Sequence, residues 1–203
     1  MDKGLLIVLS GPSGTGKGTV CKALLNKRRD LSLSISSTTR EPRSGEIHGK
    51  HYFFTNRDEF EKRIKHDEFL EHANVFSNYY GTPRSFVDGM IAQGKDVLLE
   101  IDVQGALKVK DTCPDGVFIF LIPPTMAELE RRIRSRGTET EDKIRERLGK
   151  ANAEMNLMEK YDYVIVNDDV KSVVARIDCI IESEKMRVRR NLEKYNSLRS
   201  ETI

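Results

Sequence analysis

The stretch Gly11-Pro12-Ser13-Gly14-Thr15-Gly16-Lys17-Gly18-Thr19 constrains the fold of this chain more than any other. It follows the apolar run Leu5-Leu6-Ile7-Val8-Leu9 and precedes a segment with helical spacing, Val20, Ala23, Leu24 and Leu25, that turns Lys22, Lys27 and Arg28 outward. Strand, glycine loop and helix in that order form the context a phosphate-binding loop (P-loop) needs. Glycines let the backbone curl until successive N–H groups point at phosphate oxygens. The new helix aims its N-terminal partial positive charge at the same place. Lys17 adds a full charge with the reach for a β- or γ-phosphate. The Gly-x-x-x-x-Gly-Lys core is matched, but Gly18 stands where Ser or Thr is usual and Thr19 follows one residue late. Thr19 is therefore the candidate hydroxyl near Mg2+, directly or through water. A glycine turn without a ligand has no need of four glycines and a lysine in this order.

The length of 203 residues suits one domain of ordinary size with room for a small inserted subdomain. The 34 basic and 32 acidic residues nearly cancel, which is not a nucleic-acid-binding balance, so any basic site is local. No apolar run approaches the roughly 18–20 residues of a membrane span, and no signal-peptide pattern precedes the first strand. Neither nucleic acid nor membrane is an expected partner. Cys21, Cys113 and Cys179 are odd in number and scattered, fitting neither a disulfide framework nor zinc-ligand spacing. A reducing cytoplasm is the expected setting. His48, His51, His66 and His72 share no metal-ligand spacing either.

Residues 5–9, 97–101, 117–122 and 163–166 are short, near-continuous apolar runs, as strands covered on both faces read. Helical patterns alternate with them. Thr82-Pro83 opens one, with Pro83 at the first helical position and Gly94 at its end. Thr125-x-x-Glu128 forms a capping box at the start of another. The sum is an α/β domain with a mostly parallel sheet flanked by helices. Ligands of such sheets bind beyond the carboxyl ends of the strands, where the glycine loop and Glu100-Ile101-Asp102 both fall.

Residues 34–90 read differently. Leu31, Leu33 and Ile35 alternate with serines, a polar loop runs from Thr38 to Glu46, and His51-Tyr52-Phe53-Phe54 is a short strand. Phe60, Ile64 and Phe69 belong to a helix and the segment just after it. The whole stretch reads as an insertion carried on the core. Residues 130–150 are dense in arginine, with Arg131, Arg132, Arg134, Arg136, Arg145 and Arg147, and Thr138-x-x-Glu141 can cap a new helix after Gly137. Two arginine-bearing helices around a glycine suggest a lid that swings over phosphates. A solvated hairpin of i,i+4 ion pairs is the alternative. Val170, Val173, Val174, Ile177, Ile180 and Ile181 share one helical face and read as core. Val188, Leu192 and Tyr195 form a thin apolar stripe on a charged tail, either a helix at the domain edge or a dimer contact, so a homo-oligomer stays open.

Ordered motifs extend the pattern well beyond the glycine loop. They are Ser36-Ser37-Thr38-Thr39-Arg40-x-Pro42-Arg43-x-Gly45-Glu46-x-x-Gly49 with Tyr52, then Glu71, Asn78-Tyr79-Tyr80-Gly81-Thr82, Glu100-Ile101-Asp102-Val103-Gln104-Gly105, Arg136-Gly137-Thr138-Glu139-Thr140 and Val166-Asn167-Asp168-Asp169. Together they resemble the guanylate kinase family, in its bacterial type, across nearly the whole chain up to about residue 184. The resemblance implies a P-loop NTPase core (1–33, 91–127 and 158–203), a GMP-binding α+β insertion (about 34–90) and a helical lid (about 128–157). It implies Mg2+-dependent transfer of the γ-phosphoryl group of ATP to GMP.

The same resemblance implies the roles of single residues. Arg40, Arg43, Tyr52 and Tyr80 hold the GMP phosphate, and planar guanidinium forks suit phosphate oxygens. Glu71 accepts from guanine N1–H and the N2 amine, Ser36 and Thr82 donate to O6 or N7, and Asp102 lies near the amine. The loop Gly11 to Thr19 binds ATP, with Arg132 stacking on adenine and Asn167 at its edge. Lys17, Arg40, Arg136 and Arg147 are the catalytic cations. Glu100, beside GMP, orders Mg2+ through water, or is structural. The rival readings are a kinase for another nucleoside monophosphate and a guanylate kinase-like module that binds phosphopeptides without catalysis. The guanine set argues against the first, and Lys17 with its glycines against the second.

Overall fold

A computed structural model describes residues 3–75, 77–135 and 140–200. In chain order the elements are β1 (Leu6–Ser10), α1 (Lys17–Lys27), β2 (Leu31–Leu33), β3 (Ser37–Thr38), β4 (Phe53–Phe54), α2 (Arg57–Lys65), β5 (Phe69–Val75) and β6 (Asn78–Pro83). They continue with α3 (Arg84–Ala92), β7 (Asp96–Glu100), α4 (Val103–Thr112), β8 (Val117–Ile122), α5 (Met126–Arg134), α6 (Glu141–Met155), β9 (Tyr163–Val166), α7 (Val170–Lys185) and α8 (Val188–Ser200).

The core is a parallel sheet in the order β2-β7-β1-β8-β9. Its central strands are apolar throughout because both faces are covered. Ile7 and Leu9 pack with Val20 and Leu24 of α1 and Ile177 and Ile181 of α7. Leu6 and Val8 pack on the other face with Val87 of α3 and Ala106 and Val109 of α4. This doubly covered sheet brings the ends of β1 and β7 side by side at one edge, where ligands of such folds bind.

A second sheet, in the order β4-β3-β6-β5, is built from residues 37–83. The β5–β6 and β3–β6 pairs are antiparallel, and β3–β4 is parallel. Phe60 of α2 is fully buried and stacks between Phe69, at 4.3 Å, and Tyr79, at 5.3 Å between ring centroids. Leu70 of β5 joins the core cluster, so the small sheet leans on the large one. So does α3, although it falls within the segment read as an insertion.

Two helix starts differ from expectation. Pro83 is the N-cap of α3, one position earlier than its expected place, because it still closes β6 with extended backbone. The second start is α6, which begins after Thr140, two residues beyond the expected cap. Thr138 itself lies outside the described residues. The cap of α5 is as expected, with Thr125 Oγ1 accepting from Glu128 N at 3.1 Å. Glu128 does not complete the box, because its carboxylate holds Arg131 and Arg132 instead.

α5 and α6 pack through Leu129, Ile133, Ile144 and Ala151. α8 presents Val188 and Leu192 to solvent. It is tied to the core through the buried carboxylate of Glu184, which accepts from Tyr163 Oη at 2.6 Å, Arg187 at 3.1 Å and Arg190 at 3.1 Å.

Candidate active site

The glycine loop leaves β1 at the carboxyl edge of the core sheet. Gly11 has a φ of 144°, and a Cβ there would meet Leu121 O at 2.2 Å. Gly16 caps α1 with a φ of 91°, and a Cβ there would meet Asn167 Nδ2 at 2.6 Å. Only glycine fits either position. Thr15 is buried, and its hydroxyl donates to Pro12 O at 2.9 Å, bracing the loop from within. Lys17 lies across the loop, with Nζ donating to Gly11 O at 2.6 Å and Pro12 O at 3.1 Å. Burial pushes its pKa down, and Glu100, Glu154 and Asp102 oppose that shift. Ser13, Gly18 and Thr19 are exposed at the rim and on the first turn of α1. Glu100, at the end of β7, reaches over Gly18, with Oε1 3.4 Å from where a Cβ would stand.

Arg132 and Asn167 converge on the outside of this loop. The Thr15 carbonyl accepts from Asn167 Nδ2 at 2.7 Å and from Arg132 at 3.3 Å. Arg132 also donates to Asn167 O at 3.1 Å and to Glu128 at 2.8 Å. α5 and the segment after β9 are thereby fixed against the loop.

The small sheet supplies a second group. Its cavity, of about 160 Å³, is lined by Ser34, Ser36, His51, Tyr52, Thr82 and Glu100 among others. Arg40 lies 5.5 Å from the Tyr52 ring centroid and makes a two-pronged contact with Glu46 at 2.8 and 2.9 Å. Tyr80 packs edge-on to Tyr52 at 6.0 Å. Glu46 also accepts from Arg43 N at 2.8 Å, so one carboxylate shapes the loop that carries both arginines. Its spacing from Arg40 across Pro42 and Gly45 is the signal for this role, which sequence reasoning left unassigned.

Glu71 accepts from the Thr82 hydroxyl at 2.7 Å. Burial is the main cause that raises its pKa, with Asp102 adding to the effect and Thr82 opposing it. Asp102 caps α4 by accepting from Gly105 N at 2.7 Å. The carboxylates of Glu71 and Asp102 come together at Gly105, where a Cβ would stand 3.2 Å from one and 3.3 Å from the other.

A cavity of about 230 Å³ opens between the glycine loop and α6, lined by Gly11, Ser13, Lys17, Asp102, Arg147, Lys150 and Glu154. The segment 100–102 separates the two cavities, Glu100 and Ile101 lining the first and Asp102 the second. Arg136 lies outside the described residues. Lys150 and Glu154 were not singled out from sequence. Their spacing from Arg147, which sets all three on one helix face, is the signal that could have found them. No cluster of three or more metal-ligating His, Cys, Asp or Glu side chains occurs among the described residues.

The guanylate kinase family model matches residues 3–184. A guanylate kinase of Caldanaerobacter subterraneus subsp. tengcongensis is 55% identical over 201 residues, 99% of this chain and 98% of that protein. One from Clostridium tetani is 56% identical over 190 residues, 94% of this chain and 91% of that protein. The crystal structure of guanylate kinase from Anaplasma phagocytophilum superposes with a TM-score of 0.73 at 38% identity, covering 94% of this chain and 90% of that one.

Proposed function

The chain belongs to the guanylate kinase family, an enzyme of the nucleoside monophosphate kinase class, and we propose how its residues divide the transfer from ATP to GMP between them. One observation carries the proposal. Two cavities meet at the segment 100–102, with Lys17 and Arg147 lining one and Ser36, Tyr52 and Thr82 lining the other.

The insertion 34–90 binds GMP. Arg40 and Arg43 take its phosphate, helped by the hydroxyls of Tyr52 and Tyr80, and offset the repulsion between acceptor and donor phosphates. Glu71 accepts from N1–H and the N2 amine of guanine, with Asp102 beside the amine, while Ser36, and Thr82 once its hydroxyl turns away from Glu71, donate to O6 or N7. Adenine would turn an acceptor toward Glu71 and leave a buried carboxylate unpaired, which is how such sites discriminate.

Donor phosphates lie on the loop Gly11–Thr19, with Arg132 and Asn167 on the adenine side. Lys17 exchanges its two loop carbonyls for phosphate oxygens and follows the transferred group. Arg147 of the lid (about 128–157), with Arg136, spreads the developing charge. The acceptor phosphate is already anionic, so positioning and charge carry the reaction without a general base.

Mg2+ takes one or two carboxylates and completes its shell with phosphates and water. Glu100 and Thr19, flanking the side chain-free Gly18, fit that donor set, and the ion when bound would screen phosphate charge. No helix among the described residues is long and apolar enough to cross a membrane. The free thiols Cys21, Cys113 and Cys179 support a reducing, cytoplasmic setting.

The test is ADP release from Mg-ATP with GMP, AMP, CMP or UMP as acceptor. Turnover with GMP alone is expected. Turnover with another base would overturn the guanine assignment, and silence with all four from folded protein would overturn the transfer itself.

A further inference from the structure

Glu154 is a buried acid in the phosphate cavity with no task in the reaction above. It is 7% exposed and sits in the last turn of α6, where the negative end of the helix dipole disfavours an anion. Its ion partner is Lys150, at a loose 3.7 Å. Burial pushes its carboxyl above the usual range, and Asp102 adds to that push, while Lys150 and Lys17 oppose it. A buried carboxylate so poorly paired is commonly no more stabilising than a neutral residue of the same shape. Places where a chain breaks such local rules are often functional.

The neighbours supply a reason. Arg147, Lys150 and Glu154 are spaced to share one face of α6, and that face lines the cavity opposite Lys17. Three cations gathered on one small cavity repel one another. Nucleotide phosphates offset that repulsion during a turnover, but between turnovers a protein group must do so. Asp102 is engaged as the cap of α4 and Glu100 reaches over Gly18 from the other cavity's wall, whereas Glu154 shares the α6 face with Lys150 and lines the same cavity as Lys17.

We propose that Glu154 is a positioning residue whose carboxylate holds Lys17 and Lys150 around the phosphate cavity between turnovers and, by repelling phosphates, promotes release of the spent nucleotide. This rests on the reading of the cavity as the donor phosphate site. An anion that eases release weakens nucleotide binding and quickens turnover together. An acid that merely supports the fold would change neither.

The test compares Glu154→Gln, which keeps the shape and removes the charge, with Glu154→Asp, which keeps the charge on a shorter arm. Full-length proteins are assayed with Mg-ATP and GMP, titrated with ADP by calorimetry and melted thermally. Glu154→Gln is expected to melt at or above the wild-type temperature. It should bind ADP about three- to tenfold more tightly, with a lower KM for ATP and a kcat reduced about tenfold. Glu154→Asp should restore most of kcat. Unchanged ADP affinity in Glu154→Gln, or a loss of kcat that Glu154→Asp does not relieve, overturns the proposal. The wild type tests the underlying reading separately. If it fails to turn over ATP and GMP, that reading falls, whereas an active wild type beside an indifferent Glu154→Gln rejects the Glu154 role alone.

Discussion

Lys17 answers two opposed demands. It must be charged to hold phosphate, yet it is largely buried at a helix N-terminus, where burial lowers its pKa and the dipole repels a cation. Its surroundings resolve the conflict with three acids, Glu100, Glu154 and Asp102, and with the Gly11 and Pro12 carbonyls that its ammonium already reaches. The ammonium is thus positioned before substrate arrives, so little reorganisation is left for the reaction itself. Lys17→Ala should lower kcat by about 10²- to 10³-fold, the effect of removing one preorganised donor. Its GMP affinity should be unchanged, because the side chains around the other cavity come from different elements. Rapid-quench turnover and GMP titration check both halves, and near-normal turnover would move the phosphate site elsewhere. Arg40 is prepared in the same way, its Nη2 already donating to both Glu46 oxygens and its Nη1 to Glu41 O. Phosphate must compete with that carboxylate, so the pair fixes the arginine's direction at some cost in affinity.

At the scale of elements, the small sheet is the weak member. β3 and β4 are two residues each, and strands so short cannot hold a sheet by their ladder alone. The stack of Phe60 between Phe69 and Tyr79 supplies the missing cohesion. Phe60→Leu should keep the fold but loosen this stack, costing about 1–2 kcal/mol. KM for GMP should rise several-fold while KM for ATP stays constant, because the glycine loop belongs to the other sheet. A matched rise in both constants in steady-state kinetics would refute this division. The core strands and the glycine loop were readable in the sequence because each follows a local rule, apolar runs for strands covered on both faces and glycines where backbone must pass close. β3 was not readable. Ser37 and Thr38 are polar, and their partners Gly81 and Tyr80 lie more than forty residues away, so no local pattern marks them as a strand. Pro83 misled for a related reason, since its backbone serves both the end of β6 and the start of α3. Among site residues, Arg40, Glu71 and Thr82 followed from resemblance; Thr82 lines a cavity, Glu71 accepts from it, and Arg40 lies over Tyr52 of the same cavity wall. Glu154 escaped notice because an acid four residues after a lysine satisfies the ordinary rule for a solvated helix face.

For the whole molecule, the carboxylates divide into two sets that respond oppositely to acid. Away from the site, Lys27 first and then Arg28 hold Asp178 below its usual pKa. Burial alone would raise Glu184, but the Tyr163 hydroxyl and the Arg190 and Arg187 charges outweigh it and hold it low. A depressed group contributes stability above its unfolded pKa of about 4, and that stability is lost as pH falls through the lower folded value. For two acids of the site the sign reverses. Glu71 and Glu154 are raised, chiefly by burial, so the native state takes up their protons before the unfolded chain would, and protonation there does not weaken the fold. Acid should therefore disable recognition before it unfolds the chain. Protonated Glu71 presents a hydroxyl where guanine offers only donors. Its kcat/KM for GMP should fall at a pH above the ordinary glutamate value of about 4.3, while circular dichroism and the melting temperature hold until the pH is lower. The second ionisation of the GMP phosphate, near pH 6, contributes equally to any variant, so Glu71→Gln separates the two effects. That variant should begin with a low kcat/KM and lack the additional acid limb. If the limb persists in Glu71→Gln, or if activity and fold are lost together in the wild type, Glu71 is not the group that reads guanine.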